Sequence, residues 1–193
     1  MAKNMIALVF HFILAALAIL MSAAAVYFAW FRYYSAAYPI EYGEIVAEQS
    51  LATNVPESLL FAVIRTESGF DSNAQSHASA RGLMQITQDT FEWAQFRIKE
   101  EADLSFDDLY DHEINIRYGA EILRLLLDEF GSENNALCAY HAGWGSVKRW
   151  LDNPQYTVDG EVVNIPFGDT RRYVEKVLKT QEIYNDIYRF ERN

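Results

Sequence analysis

The chain has no means of covalent cross-linking, because its 193 residues include a single cysteine, Cys138. One cysteine excludes an internal disulfide, so the fold must be stable on its hydrophobic core alone. Cys138 lies in the segment NALCAYHAG at a helical spacing from apolar neighbours, which favours a small buried side chain. The alternative is a thiol nucleophile, for which His141, three residues further on, is the candidate base.

Positive charge is also scarce. The sequence has 16 Lys and Arg residues against 27 Asp and Glu residues, for a formal net charge of −11. Every acid lies after residue 40, where 14 bases meet 27 acids and the net charge is −13. Such an acidic surface argues against nucleic acid as a partner, because phosphate binding needs a basic face. It permits a sugar polymer, which proteins bind mainly through hydrogen bonds and ring stacking.

Charge is absent from residues 5–31, a run of 27 mostly apolar residues. A helix needs about 20 apolar residues to span a bilayer, whereas the apolar core of a cleaved signal has about 7 to 15. The run therefore predicts an uncleaved signal anchor, with cleavage after the small residues 23–25 as the alternative. We expect an anchor and connector over residues 1–38 and one domain over residues 39–193.

Apolar residues recur at helical spacing through most of residues 39–193, which predicts an all-α domain with long connecting loops. Two helix starts have clear capping residues, Thr87 and Asp111. A third helix is predicted to begin with a capping box formed by Asn54 and Glu57 and to end at Gly69. Long loops between helices are where a cleft is usually built.

The third helix ends in a carboxylate, Glu67, on an otherwise apolar face. Apolar residues lie three, four and seven positions earlier, so the carboxyl points in the same direction as core side chains. Burial removes hydration and raises the pKa of a carboxyl, as a general acid requires near neutral pH. On this helix alone the alternative stays open, namely a carboxylate paired with Arg65, Arg81 or a backbone amide.

Further segments resemble a known family in their order and spacing, that of the soluble lytic transglycosylase domain. These segments are ESGF at 67–70, GLMQI at 82–86, INIRYGAEILRLLLDEFG at 114–131, AYHAG at 139–143 and IPFGDTRRYVEKV at 165–177. The resemblance covers about residues 44–188. It implies a lysozyme-like fold and an enzyme that cleaves the β-1,4 bond between N-acetylmuramic acid and N-acetylglucosamine in peptidoglycan, with a 1,6-anhydro product.

The resemblance also implies roles for individual residues. Glu67 would be the single catalytic acid and base, because the substrate's own C6 hydroxyl serves as nucleophile. The substrate-binding residues would be Ser76, Met84, Gln85, Tyr140, His141 and Asp169. Tyr140 would bring a phenol close to Glu67, and Gly82 would let the backbone approach a sugar. His141 and Asp169 replace the asparagine and glutamate that are usual in the family.

We expect no metal and no cofactor, since the histidines show no metal-ligand spacing. The expected partner is the peptidoglycan glycan strand, and no particular protein partner is indicated. The resemblance and the apolar run together imply a single-pass protein of the bacterial cell membrane with an extracytoplasmic domain, or a secreted protein after signal cleavage. Two other functions stay open, a hydrolytic goose-type-like lysozyme and a non-cleaving peptidoglycan-binding protein. Trp144, between two glycines, is the aromatic residue most expected to face the cleft.

Overall fold

The computed structural model describes residues 2–100 and 102–190. The chain divides into two units, Met1–Pro39 and Ile40–Asn193. The first unit is built on one helix, α1 (Ala2–Ala37). Its segment Ala7–Ala37 is long and apolar enough to cross a membrane, judged by length and composition.

The second unit is helical apart from one short hairpin. Its helices are α2 (Gly43–Thr53), α3 (Glu57–Glu67), α4 (Gln88–Ile98), α5 (His112–Phe130), α6 (Glu133–Ala142), α7 (Trp144–Leu151) and α8 (Gly168–Tyr188). A 3₁₀ turn, Phe106–Tyr110, precedes α5. Strand β1 (Thr157–Val158) pairs antiparallel with β2 (Glu161–Val162). The predicted all-α class is therefore confirmed.

Helix α3 lies at the centre of the second unit. Residues 58–64 are all buried, and the six apolar side chains among them are at most 1% exposed. A helix that is buried on every side belongs to the core, and α3 packs along both α2 and α8. Burial of each large apolar side chain contributes roughly 1.5–3 kcal/mol. The position of α3 is thus fixed, and with it the position of the residue at its C-terminal end, Glu67.

Two of the predicted helix starts are observed. The Thr87 side chain accepts a hydrogen bond from the backbone N–H of Thr90 at the beginning of α4. The Asp111 carboxylate accepts from the N–H groups of Glu113 and Ile114 at 2.9 and 3.0 Å. Both side chains satisfy donors that the first turn of a helix leaves without partners.

The predicted capping box at Asn54 and Glu57 is wrong. Asn54 ends α2 in the left-handed conformation, with φ 58°, and α3 begins at Glu57 without a side-chain cap. The cause is Pro56, because a residue that precedes proline is restricted to extended backbone. Val55 is therefore held out of a helix, and α3 starts only after the proline.

Cys138 is a buried core residue of α6, with 0% exposure. Burial, together with the nearby Glu161 carboxylate, raises the pKa of its thiol to about 12. The thiolate needed for nucleophilic catalysis is therefore absent at neutral pH. His141 directs its ring nitrogen Nδ1 to Thr170. The buried interpretation is confirmed, and the thiol-nucleophile alternative is wrong.

Candidate active site

Glu67 is the last residue of α3, and its side chain is half-buried. Burial raises the pKa of its carboxyl from 4.5 to about 7. The Tyr173 hydroxyl and the Lys176 ammonium partly oppose this shift, since both stabilise the ionised form. A carboxyl with this pKa exchanges its proton near neutral pH, which is the property required of a general acid and base.

Two phenols lie near this carboxyl. Tyr173 of α8 is buried and Tyr140 of α6 is half-buried, and burial raises the pKa of each hydroxyl well above 10. The negative charge of Glu67 adds to both shifts, which indicates that both rings are close to it. The two hydroxyls therefore stay protonated and can act only as neutral hydrogen-bonding groups.

The two phenols are held differently. The Tyr140 hydroxyl donates a 2.7 Å hydrogen bond to the backbone carbonyl of Met84. The buried Tyr173 hydroxyl makes no hydrogen bond of ordinary geometry within the described residues, although it is near enough to Glu67 to lower the pKa of that carboxyl. Tyr140 thus lies near Glu67 as predicted, but its hydrogen bond is to the loop rather than to the acid.

The groups that act most directly on Glu67 were not predicted. Helical periodicity puts Tyr173 on the same face of α8 as Val177 and Tyr184, which is the inward face. Nothing in the sequence indicates that Tyr173 meets Glu67, which is 106 positions earlier. Lys176 lies three residues beyond Tyr173, and its ammonium is 3.4 Å from the Thr66 carbonyl oxygen. Arg81, a predicted alternative partner of Glu67, instead forms an ion pair with Asp107.

The loop over residues 68–87 forms one side of the site and is held by its own hydrogen bonds. Gln85 Nε2 donates to the carbonyl oxygens of Ala74, at 3.0 Å, and Gly82, at 2.9 Å. The Ser76 hydroxyl accepts from the N–H of Ala80 at 3.1 Å. Both amide hydrogens of Gln85 are thereby used, and its Oε1 is the atom left to accept a hydrogen bond from a ligand.

A buried amide on α5 anchors the same loop. Asn115 is 0% exposed. Its Oδ1 accepts from the N–H of Met84 at 2.8 Å, and its Nδ2 donates to the carbonyls of Arg81 and Leu109 at 3.0 and 2.7 Å. Sequence analysis missed this residue. The available signal was a polar side chain at a core-facing position of an amphipathic helix, because a buried amide must have hydrogen-bond partners.

The structure corrects the predicted role of Gly82. This residue has φ +72°, and a Cβ there would lie 2.2 Å from Nδ2 of Asn115 and 2.3 Å from the Leu109 carbonyl. The close approach that requires glycine in this structure is made by Asn115 and by the Leu109 carbonyl.

The predicted role of Met84 needs a similar correction. Its side chain is 0% exposed, and it packs so closely on Gly119 of α5 that a Cβ there would lie 2.1 Å from its Sδ. The thioether lies below the surface and supports the loop. Only the backbone of Met84, through its carbonyl oxygen, reaches Tyr140.

A cleft of about 260 Å³ opens beside Tyr140. It is lined by Gln85, Ile86, Thr87, Asp89, Thr90, Trp93, Ile122, Leu126, Ala139, Tyr140, Gly143 and Trp144. Trp93 and Trp144 supply aromatic walls, and Trp144 is 47% exposed, in agreement with its predicted place in the cleft. Tyr140 lines this cavity and lies close to Glu67, which is not itself among the lining residues.

The remaining predicted residues, His141, Asp169 and Ser76, do not line this cleft. His141, exposed at the end of α6, has its Nδ1 3.1 Å from the Thr170 hydroxyl and its ring 4.5 Å from that of Tyr173. Asp169 is exposed in the first turn of α8, and its carboxylate accepts from the N–H of Thr170. Ser76 is exposed in the loop. Across residues 2–100 and 102–190, no group of three or more His, Cys, Asp or Glu side chains could hold a metal ion.

Comparison with known proteins identifies the family. The model of the Transglycosylase SLT domain family matches residues 44–161. The chain belongs to this family. Soluble lytic murein transglycosylase of Escherichia coli (strain K12) is 32% identical over 158 residues, which are 79% of this chain and 24% of the relative. Membrane-bound lytic murein transglycosylase C of Salmonella arizonae is 32% identical over 166 residues, which are 75% of this chain and 46% of the relative.

Solved structures agree with this assignment. The 70 kDa soluble lytic transglycosylase of Escherichia coli superposes with a TM-score of 0.74 at 30% identity, over 80% of this chain and 26% of that one. An inactive mutant of lytic transglycosylase Slt from Pseudomonas aeruginosa gives a TM-score of 0.72 at 29% identity, over 80% and 25%. The lysozyme-like fold is confirmed. The SLT-family chain spans about a quarter of these soluble relatives and less than half of the membrane-bound one.

Proposed function

We propose that this chain is a peptidoglycan lytic transglycosylase. It cleaves the β-1,4 bond between N-acetylmuramic acid and N-acetylglucosamine and leaves a 1,6-anhydromuramic end. Glu67 is its single general acid and base. The observation that carries this proposal is a carboxyl at the end of a buried helix whose pKa burial raises to about 7. It lies close to Tyr140, which also lines the cleft.

In this reaction Glu67 first donates one proton and later accepts one. Protonated Glu67 donates to the bridging oxygen as the bond from that oxygen to C1 of the muramyl residue breaks. The Glu67 carboxylate then accepts the proton of the C6 hydroxyl, whose oxygen bonds to C1. The glycosidic bond between two sugars is exchanged for a glycosidic bond between C1 and O6 within the muramyl residue. No water is consumed, and Glu67 ends in its starting state. A pKa near the operating pH suits both half-reactions.

The surroundings of Glu67 support a mechanism with one carboxyl. Glycosidases with two catalytic carboxyls hold them about 5–5.5 Å or about 6.5–9.5 Å apart. A second carboxylate at the shorter separation would add a like-charge contribution to the pKa of Glu67. The groups that shift this pKa besides burial are a phenol and an ammonium. The inactive Slt mutant of Pseudomonas aeruginosa carries a glutamate-to-glutamine change, so that relative requires a glutamate.

The cleft supports a sugar ligand. Its volume of about 260 Å³ is smaller than the roughly 300–1,000 Å³ of a drug-sized site, and this suits one ring of a longer polymer. Trp93 and Trp144 offer faces for ring stacking, and Gln85 Oε1 accepts from an N-acetyl N–H or a hydroxyl. We assign substrate contacts outside the cleft to the exposed residues Ser76 and Asp169. We assign His141 to the surroundings of Tyr173 and Met84 to the support of the loop.

We further propose that residues 1–38 anchor the protein in the bacterial cell membrane and that residues 39–193 form the extracytoplasmic catalytic domain. Support comes from the apolar segment Ala7–Ala37 and from relatives named as membrane-bound. The partners are then the lipid bilayer and the glycan strands of the wall.

The decisive experiment incubates the full chain, in detergent, with purified peptidoglycan sacculi and analyses the released muropeptides by mass spectrometry. We expect anhydromuramic ends. We expect Glu67→Gln to lower turnover by about 1,000-fold while circular dichroism and binding to sacculi are kept, because only the transferable proton is lost. Glu57→Gln, at the other end of α3, is the matched control and should be fully active.

Other results would identify another function. Reducing ends instead of anhydro ends would make the protein a hydrolytic lysozyme. Binding to sacculi without any released product from the wild type would make it a peptidoglycan-binding protein. Full activity of the Glu67→Gln variant would remove Glu67 from the mechanism.

A further inference from the structure

His141 contacts one face of α8 at two points. Its Nδ1 lies 3.1 Å from the hydroxyl of Thr170, which is 1% exposed. Its ring lies on the ring of Tyr173, with centroids 4.5 Å apart and planes tilted by 33°. Thr170 and Tyr173 are three residues apart in α8, so they are neighbours on the same helix face. The hydrogen bond to Thr170 therefore fixes the imidazole where it covers the phenol.

The phenol of Tyr173 depends on such packing. Within the described residues its hydroxyl has no hydrogen bond of ordinary geometry, so packing on the ring contributes to holding it in place. The hydroxyl nevertheless lies close enough to Glu67 to stabilise the ionised carboxyl. The position of that hydroxyl therefore depends on the groups that pack on the ring, and the ring of His141 is one of them.

The geometry points to His141 as a positioning residue, which holds the Tyr173 hydroxyl beside the Glu67 carboxyl without touching the substrate's reacting atoms. This inference rests on the proposed function of Glu67. The charged group that faces His141 from α8 is Asp169, which favours the imidazolium, but burial has the larger effect and lowers the pKa of the imidazole. The neutral form of the imidazole is therefore favoured, and its ring packs against the phenol at a tilt of 33°.

The first test measures the position of Tyr173 through the titration of Glu67. Carbon-13 NMR of the full chain in detergent, with glutamate carboxyls labelled, follows the signal that is missing from Glu67→Gln. Tyr173 lowers the pKa of Glu67, so release of the phenol should raise that pKa above its wild-type value of about 7. We expect this rise in His141→Ala, in His141→Asn, which retains a polar group near Thr170, and in Tyr173→Phe. Phe96→Ala, which removes an 81% exposed ring from α4, should leave it unchanged.

The second test is a double-mutant cycle on turnover of sacculi. We expect His141→Ala to lower kcat by about tenfold in the wild type and by less than about twofold in the Tyr173→Phe background, because the residue acts through the phenol. A residue that only stabilises the fold would lower kcat equally in both backgrounds and would not move the titration of Glu67. His141→Asn repeats the cycle with a variant that retains a polar side chain, and thermal unfolding confirms that each variant is folded.

Two outcomes would overturn the inference. The first is an unchanged Glu67 titration in both His141→Ala and His141→Asn. The second is an additive loss of kcat in the cycle with Tyr173→Phe. A wild-type chain that releases nothing from sacculi would refute the proposed function instead, and the NMR titration would still decide whether His141 positions Tyr173.

Discussion

The two sides of the candidate site are built in opposite ways. On the loop side, Asn115 makes three hydrogen bonds to backbone groups and Gln85 makes two more. On the side where α3 meets α8, the buried hydroxyls of Thr66 and Tyr173 make no hydrogen bond of ordinary geometry within the described residues. Glu67, the residue after Thr66, has the pKa of its carboxyl raised by burial. One side is rigid through hydrogen bonds, and the other is poor in them.

This difference has a chemical meaning. A carboxylate that accepts several hydrogen bonds is stabilised in its ionised form and gives up the ability to hold a proton at neutral pH. A loop that shapes a cleft needs many hydrogen bonds, because each buried backbone group without a partner costs about 1–3 kcal/mol. The site therefore combines a loop held in place by the side-chain amides of Asn115 and Gln85 with a carboxyl that exchanges its proton near neutral pH. The predictions below test each side in turn.

The largest effect is expected from the acid. The folded pKa of Glu67 is about 7 and its unfolded value is 4.5, so the folded state binds more protons between these values. Glu67 therefore destabilises the protein progressively as pH rises through this window. We expect Glu67→Gln to be more stable than wild type by up to ~3 kcal/mol at about pH 8 and by close to zero at about pH 4.

Denaturant unfolding of the full chain in detergent at the two pH values measures this difference. Glu57→Gln serves as the control and should show little dependence on pH. A stability gain of equal size at both pH values would contradict a raised pKa of Glu67.

The loop side should respond most strongly at Asn115. Asn115→Ala removes three hydrogen bonds and leaves the buried N–H of Met84 without a partner, so we expect a loss of at least ~2 kcal/mol in the free energy of unfolding. Asn73→Ala, in the exposed part of the same loop, should change stability by less than ~0.5 kcal/mol. Equal effects of the two substitutions in chemical denaturation would argue against Asn115 as the anchor.

Tyr140 joins the two sides, since its ring is near Glu67 and its hydroxyl bonds to the loop at Met84. Tyr140→Phe removes that bond and keeps the ring. We expect turnover of sacculi to fall by about tenfold, equivalent to ~1.4 kcal/mol, with the fold retained. Steady-state kinetics, with circular dichroism as the control for folding, tests this, and unchanged kinetics would show that the hydroxyl has no role.

The smallest effect is expected at Ser76. Its exposed hydroxyl accepts one hydrogen bond from Ala80, so Ser76→Ala should lower the free energy of unfolding by only ~0.5 kcal/mol. A sugar contact at this position would add a rise in KM of about threefold, worth ~0.65 kcal/mol. Thermal unfolding and KM for sacculi are the two measurements. An unchanged KM would restrict Ser76 to a role in the loop.

Much of the framework follows from local sequence signals. Thr87 and Asp111 cap helices because a short polar side chain before an apolar helical run satisfies donors within the same turn. Glu67 could be singled out because helical periodicity places its carboxyl on a buried face. Asn54 misled because asparagine is favoured both before helices and, in the left-handed conformation, after them.

What the sequence does not show is which distant groups meet. Asn115 and Met84 are 31 positions apart, and Tyr140 and Met84 are 56 apart. Periodicity indicates that such side chains point inward, but the packing of whole helices decides what they touch. Tyr173 illustrates this limit, because its inward position was predictable and its nearness to the carboxyl of Glu67 was not.

The deeply enclosed sulfur of Cys138 makes the molecule convenient to label. A thiol that is 0% exposed, with a pKa of about 12, is protonated and out of reach of maleimides and iodoacetamides at neutral pH. Because the chain has no other cysteine, one introduced at an exposed position such as Phe96 would be the sole site for a fluorophore or spin label. Movement of α4 could then be followed without first replacing the natural cysteine.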